Sequence, residues 1–158
     1  MSRRKKHLDR ALLDAVLSGD LSAARGVLAG GADVNTRDAE HQETPLMLAR
    51  SEAAARLLLE HGADIHARDD RGATAFLLTR RPLLVRAGAD MNAQDDEGRT
   101  ALMRAVEAAD TDAVRQLLAL GVDLNLRDRE GESALSRADS LGLLAIAECL
   151  LLVFETNQ

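Results

Sequence analysis

The sequence predicts an all-α solenoid of helix-turn-helix repeats joined by β-turn hairpin loops. Three observations carry this. A Gly-x-Asp-x-Asn segment recurs at Gly31–Asn35, Gly62–His66 (with His in the last place), Gly88–Asn92 and Gly121–Asn125, its glycines 31, 26 and 33 residues apart. An Asp-x-x-Gly turn recurs at Asp69–Gly72, Asp95–Gly98 and Asp128–Gly131, with Asp and Gly at the positions a β-turn favours. Two residues after each turn stands a helix-capping Thr or Ser, at Thr74, Thr100 and Ser133. A period near 33 residues marks a stack whose units bury their apolar faces only against neighbours. Such a stack offers a long open surface and no deep pocket, so binding is expected rather than catalysis.

The elements follow in order. Residues 1–7, with Arg3, Arg4, Lys5 and Lys6, read as a disordered basic leader. One domain of about five repeats is expected over 8–158. The first repeat, 8–36, carries Leu12 and Ala15 on one helix face, with Asp9, Arg10, Asp14 and Ser18 as a polar outer cap. The second, 37–67, starts its helix with Thr44 as cap and Pro45 at the first helical position, where a missing N–H is harmless. Its turn, from Asp38, lacks glycine and holds one extra residue.

Large and small side chains then alternate at i and i+3: Leu46 with Ala49, Phe76 with Thr79, Leu102 with Ala105, Leu135 with Ala138. They share a helix face, and the small one lets the next helix come close. Leu57-Leu58-Leu59, Leu83-Leu84, Leu117-Leu118 and Leu150-Leu151-Leu152 mark the second helices, which Gly62, Gly88 and Gly121 stop. Cap and exit glycine lie 21 residues apart in the fourth repeat (94–126), 18 in the second and 14 in the third (68–93). The third pair is therefore expected to be stubby, with Pro82 opening little more than one turn. The fifth repeat, 127–158, ends in a strongly apolar helix.

Composition narrows the function. A net charge of −6 argues against a partner whose phosphates must be neutralised, so no nucleic-acid binding is expected. The most apolar segment, 141–154, contains Glu148 and is too short to span a bilayer. Cys149 stands alone, so no disulfide framework exists. The expected setting is cytoplasmic and non-membrane. Heavy use of Ala and Arg points to a GC-rich, bacterial genome.

These residues resemble the ankyrin repeat family over almost the whole chain. The resemblance rests on the Asp-x-x-Gly turns, Thr44-Pro45-Leu46-Met47-Leu48-Ala49 as a helix start, the paired leucines, and Gly31-Ala32-Asp33-Val34-Asn35 as an exit. It implies turn fingers at right angles to helix pairs, with binding along the fingers and inner helices. The sequence departs from the family at the His of the helix start. Leu13, Met47, Leu77, Met103 and Ser136 stand there instead, so the hydrogen bonds of that His are expected to be absent.

By the family's surface positions, the candidate partner contacts are Glu40, Glu43, Asp70, Arg71, Asp96, Glu97, Arg99, Glu107, Arg129, Glu130 and Glu132. Their acidity points to a partner protein with a basic surface. The blander reading is a solvated edge, since Asp38, Asp69, Asp95 and Asp128 are turn-formers and several arginines balance the rest. Leu144, Val153 and Phe154 are candidates for self-association, making the chain a monomer or weak homodimer. His61, His66 and Asp64 lie close in sequence, but no zinc-type spacing exists, so neither metal nor cofactor is expected. The function expected is a non-enzymatic protein-interaction module. The alternatives are an inhibitor or immunity-type protein blocking a co-produced enzyme, and an oligomeric scaffold built through the C-terminal helix.

Overall fold

The structure is a computed structural model that describes the backbone of residues 3–156 and the side chains of residues 3–153. The repeats group into two compact units, one ending at Ala89 and the other beginning at Asp90, a division the sequence did not announce.

The first unit holds α1 (Arg3–Ser18), α2 (Leu21–Ala29), α3 (Pro45–Leu48), α4 (Glu52–Glu60), α5 (Ala75–Thr79) and α6 (Pro82–Arg86). Its core is aliphatic, built on Leu12, Val16, Leu46, Leu57, Leu58, Leu77 and Leu84, with Phe76 fully enclosed. The second unit holds α7 (Ala101–Glu107), α8 (Thr111–Leu120), α9 (Ala134–Ser140) and α10 (Leu144–Thr156) around Leu102, Met103, Val106, Val114, Leu117 and Ile146. α7 packs on both α8 and α9, and α10 on α8 and α9. Small residues allow this close approach: Ala101, Ala105 and Ala138 are wholly enclosed.

The caps are largely those read from the sequence. Thr74, Thr100 and Ser133 accept from the amides of Leu77, Met103 and Ser136. Thr44 is the exception: its hydroxyl oxygen is buried without a partner, and its own N–H donates to Met47 Sδ at 3.4 Å. The Met47 N–H bonds instead to the Thr44 carbonyl, at 3.0 Å. At the His position of the family, Ser136 restores part of what is lost, because its hydroxyl accepts the Ser133 N–H at 2.9 Å.

The middle helices are short, as the spacing predicts. α5 and α6 have five residues each, and α5 ends at Arg80 in a left-handed conformation, φ 53°. The early end of α3 leaves the Ala49 carbonyl outside any helix, and Arg81 Nη2 reaches it at 3.2 Å.

Two expectations are corrected. Residues 3–7 are not a disordered leader but the first turns of α1, and Lys5 Nζ lies 3.8 Å from the Asp33 carboxylate. Asp9 is buried rather than part of the outer cap, because its carboxylate accepts the Asp33 N–H at 2.8 Å. At the far end, Leu144 is 76% exposed, and Leu141, Leu151 and Leu152 are exposed too. Val153 is half-buried rather than exposed, and the Phe154 side chain lies outside the described residues. Among the described residues, no helix is long and apolar enough to cross a membrane.

Candidate functional site

In each turn one aspartate organises the loop. Asp69 accepts the amides of Arg71 and Ala73, Asp95 those of Glu97 and Arg99, Asp128 those of Glu130 and Glu132. Asp38 does the same for His41 and Glu43 across the longer turn, where Gln42 supplies the left-handed residue, φ 58°. These aspartates are structural, which accounts for their regular recurrence.

Neighbouring turns are tied together by backbone. In the first unit the Asp70 N–H donates to the His41 carbonyl at 3.0 Å. In the second the Arg129 N–H donates to the Glu97 carbonyl at 2.9 Å. The residue before each turn aspartate adds a side-chain strut: Arg37 Nη1 donates to the carbonyls of Gln42 and Arg68, and Gln94 Nε2 to those of Gly98 and Arg127. The exit loops repeat the logic. Each exit aspartate accepts the amide two residues on, and Asn35 and Asn92 accept the amides of Asp64 and Asp123 in the following loop at 2.7 and 2.9 Å.

The candidate contact residues divide by charge environment. In the second unit most are already paired. Arg99 binds Asp95 at 3.1 Å and Glu97 at 2.8 Å, and Arg104 binds Asp95 at 2.8 Å. Arg137 binds Asp128 and Glu107 closely, Glu132 at 3.2 Å and Glu130 at 3.8 Å. Burial opposes ionisation of Asp95, yet hydrogen bonds from Arg104, Arg99 and Glu97 outweigh it and hold the carboxyl below its ordinary value. Glu107 and Glu132 therefore carry pairing duty that the sequence did not reveal. Asp96, Arg129 and the outer edge of Glu130 remain exposed.

The first unit is different. Glu43 is half-buried, and Glu40 and Asp70 are exposed. Partial burial, then the charges of Asp38, Asp69 and Asp70, push its carboxyl above the ordinary value, with His41 opposing. His41 Nδ1 lies 4.0 Å from the Asp70 carboxylate, and among the described residues no arginine or lysine pairs with Glu43, Asp38 or Asp69. Arg71, also a candidate, is exposed.

The cause is legible one helix turn past each cap. Four residues after Thr100 and Ser133 stand Arg104 and Arg137, which supply the neutralising guanidinium. Four residues after Thr44 and Thr74 stand Leu48 and Leu78. Among the described residues, the first unit keeps its turn acids without a guanidinium one helix turn past the cap.

Asp128, Glu130 and Glu132 also bring carboxylate oxygens within 4.8 Å of one another, in principle a cation site. Arg137 already places its guanidinium against all three. His61 Nδ1 lies 2.9 Å from the Leu57 carbonyl and Asp64 caps the His66 amide, so these groups serve the exit loop.

The comparison with curated proteins gives no match. A family model described as ankyrin repeats in three copies matches residues 81–158, and one for the single ankyrin repeat matches residues 41–70. These repeats serve in general as non-enzymatic protein–protein interaction modules. The matched stretches take in more than half of a chain that repeats one turn, one helix cap and one exit loop, and on that ground the protein belongs to the ankyrin repeat family.

Proposed function

We propose that this chain recognises a basic surface on a partner protein through the turn edge of its first unit. The observation that carries the reading is Glu43, a carboxylate held among Asp38, Asp69 and Asp70, with no arginine or lysine paired to it among the described residues. Such an arrangement costs the free protein stability and is relieved when an outside cation arrives. Glu40 and Asp70 extend the same edge into solvent. The second unit supports the contrast, because its comparable acids are neutralised from within.

Two variants test this. Glu43→Gln removes the repulsion, so it raises Tm at neutral pH while weakening partner binding. Glu40→Lys with Asp70→Lys lowers affinity for the partner captured by the unmodified chain at least about tenfold, with little change in Tm. The partner is identified by affinity capture and mass spectrometry, and its affinity is then measured with purified protein over a range of salt. Undiminished binding by the double variant contradicts the reading. The narrower reading, an inhibitor or immunity-type protein, gains weight if the captured partner is an enzyme whose turnover stops on binding.

A further inference from the structure

In the second unit one side chain ties turn to helix. Arg137 donates from Nη1 to Glu107 on α7 and from Nη2 to Asp128 Oδ2, with Glu132 at 3.2 Å. Arg104 holds Asp95 Oδ2 in the same manner, at 2.8 Å. The matching positions of the first two repeats carry other chemistry. Leu17 stands where Glu107 does, five residues past the enclosed Leu12 as Glu107 is past the enclosed Leu102. Leu48 stands where Arg137 does, four residues past its cap. Asp38 keeps the place of Asp128, and its Oδ1 accepts the His41 and Glu43 amides at 3.1 and 2.9 Å. Its Oδ2, the oxygen that takes a guanidinium in Asp95 and Asp128, has no such partner among the described residues.

An open cleft of about 500 Å³ lies there, between α1 and the turn at 36–40 within the first unit. Leu13, Leu17 and Leu48 give it an apolar lining, and Asp14, Asp38 and Glu40 supply carboxylates. Lys6, Arg10 and Arg37 also line it. Among the described residues none of the three ion-pairs with those carboxylates, and Arg37 is engaged by the Gln42 and Arg68 carbonyls. These cations weaken the pull on a bare positive charge, so an occupant must also gain from shape.

We propose that the cleft receives an arginine side chain of the same basic partner that meets the turn edge, a reading on which this one rests. The partner supplies from outside the guanidinium that Arg137 supplies from within. Its aliphatic stem lies on Leu17 and Leu48, as long cationic side chains cover apolar surface while keeping their heads polar. Its planar head carries donors enough for Asp38 Oδ2 and a second carboxylate, as Arg137 joins two acids. Lysine, a compact point charge, lacks that fixed fork. The arriving cation also sits beside Asp38, one of the charges that burden Glu43.

Carbon-detected NMR of the full chain, titrated with N-acetyl-argininamide and separately with N-acetyl-lysinamide, tests this. The arginine probe is expected to bind saturably at about 1–10 mM, moving the carboxyls of Asp14, Asp38 and Glu40 and the methyls of Leu17 and Leu48 most. The lysine probe binds at least about threefold more weakly. Leu48→Arg, and separately Leu17→Arg at an exposed position, fill the cleft from within and weaken the arginine probe at least about tenfold. Leu48→Met keeps the apolar lining and leaves binding within about twofold. Circular dichroism confirms that each variant is folded. No saturable binding, equal binding of both probes, shifts spread evenly over the exposed acids, or binding undiminished by both arginine variants overturns the proposal. A probe that misses the cleft, while Glu40→Lys with Asp70→Lys still weakens the captured partner, sinks the arginine pocket alone. Undiminished capture by that double variant sinks the turn-edge reading instead.

Discussion

Gly98→Ala is expected to destabilise the chain by about 2–4 kcal/mol, whereas Gly131→Ala, at the matching place in the next turn, costs only about 1 kcal/mol. Both glycines have a left-handed backbone, φ 79° and 81°, so both substitutions carry the same conformational cost. They differ in what a methyl group meets. At Gly98 a Cβ lies 2.9 Å from Asp128 Cα and 3.0 Å from the Arg129 nitrogen, both backbone atoms. That backbone cannot give way cheaply, because the Arg129 N–H is bonded to the Glu97 carbonyl and the Asp128 N–H to the Glu132 carbonyl. At Gly131 nothing among the described residues stands within 4 Å. Urea unfolding of both variants measures the difference. Equal losses contradict the close backbone stacking of turns in the second unit.

Arg137→Met is expected to cost about 3–5 kcal/mol. At this chain length that lowers Tm by roughly 6–20 °C. The Arg137 side chain is 16% exposed and the Asp128 side chain only 2%. Burial works against the guanidinium's charge, but Glu107, Asp128 and Glu132 more than offset it and hold the proton more tightly than in water. Removing the cation leaves those carboxylates, with Glu130 nearby, facing one another without compensation. The deficit should shrink in mild acid, where the unpaired carboxylates take up protons. Thermal melts at neutral and mildly acidic pH check both parts. A loss below about 1 kcal/mol places Arg137 among surface ion pairs of little consequence.

The local features were legible and the long-range ones were not. A turn needs Asp and Gly at fixed offsets, a cap needs Thr or Ser, and a helix stop needs Gly, so each leaves its mark within a few residues. The shortness of α5 and α6 follows from the 14 residues between Thr74 and Gly88. Thr44 did not serve as a hydroxyl cap because the Met47 N–H bonds to its carbonyl oxygen instead, a choice of local geometry that residue identity does not reveal. Asp9 appeared as a solvent-facing charge because its partner, the Asp33 amide, lies 24 residues away.

The candidate contacts were blurred for the same reason. Glu107 looked idle because Arg137, its partner, is 30 residues distant. One signal was available in the sequence: arginine recurs four residues after Thr100 and Ser133, and leucine takes its place after Thr44 and Thr74. That periodic difference separates self-neutralised turns from uncompensated ones. The exposed Leu144 was legible from the apolar run of the last helix.

The two carboxyls displaced in opposite senses provide the sharpest check. Asp95, held low, contributes stability that is fully present above its unfolded pKa and is lost as the pH falls through its folded one. Glu43, held high, acts in reverse: the folded state gains as the pH falls through its folded pKa. A carbon-detected NMR titration of the side-chain carboxyls reads both in one sample. Glu43 is expected to titrate above the ordinary range of a glutamate and Asp95 below that of an aspartate. Leu48→Arg, which sets a guanidinium where Arg104 stands in the second unit, is expected to draw Glu43 back down. A Glu43 that titrates at or below the ordinary glutamate range in the unmodified chain would mean that its edge is already satisfied, and the case for a basic partner there would fall.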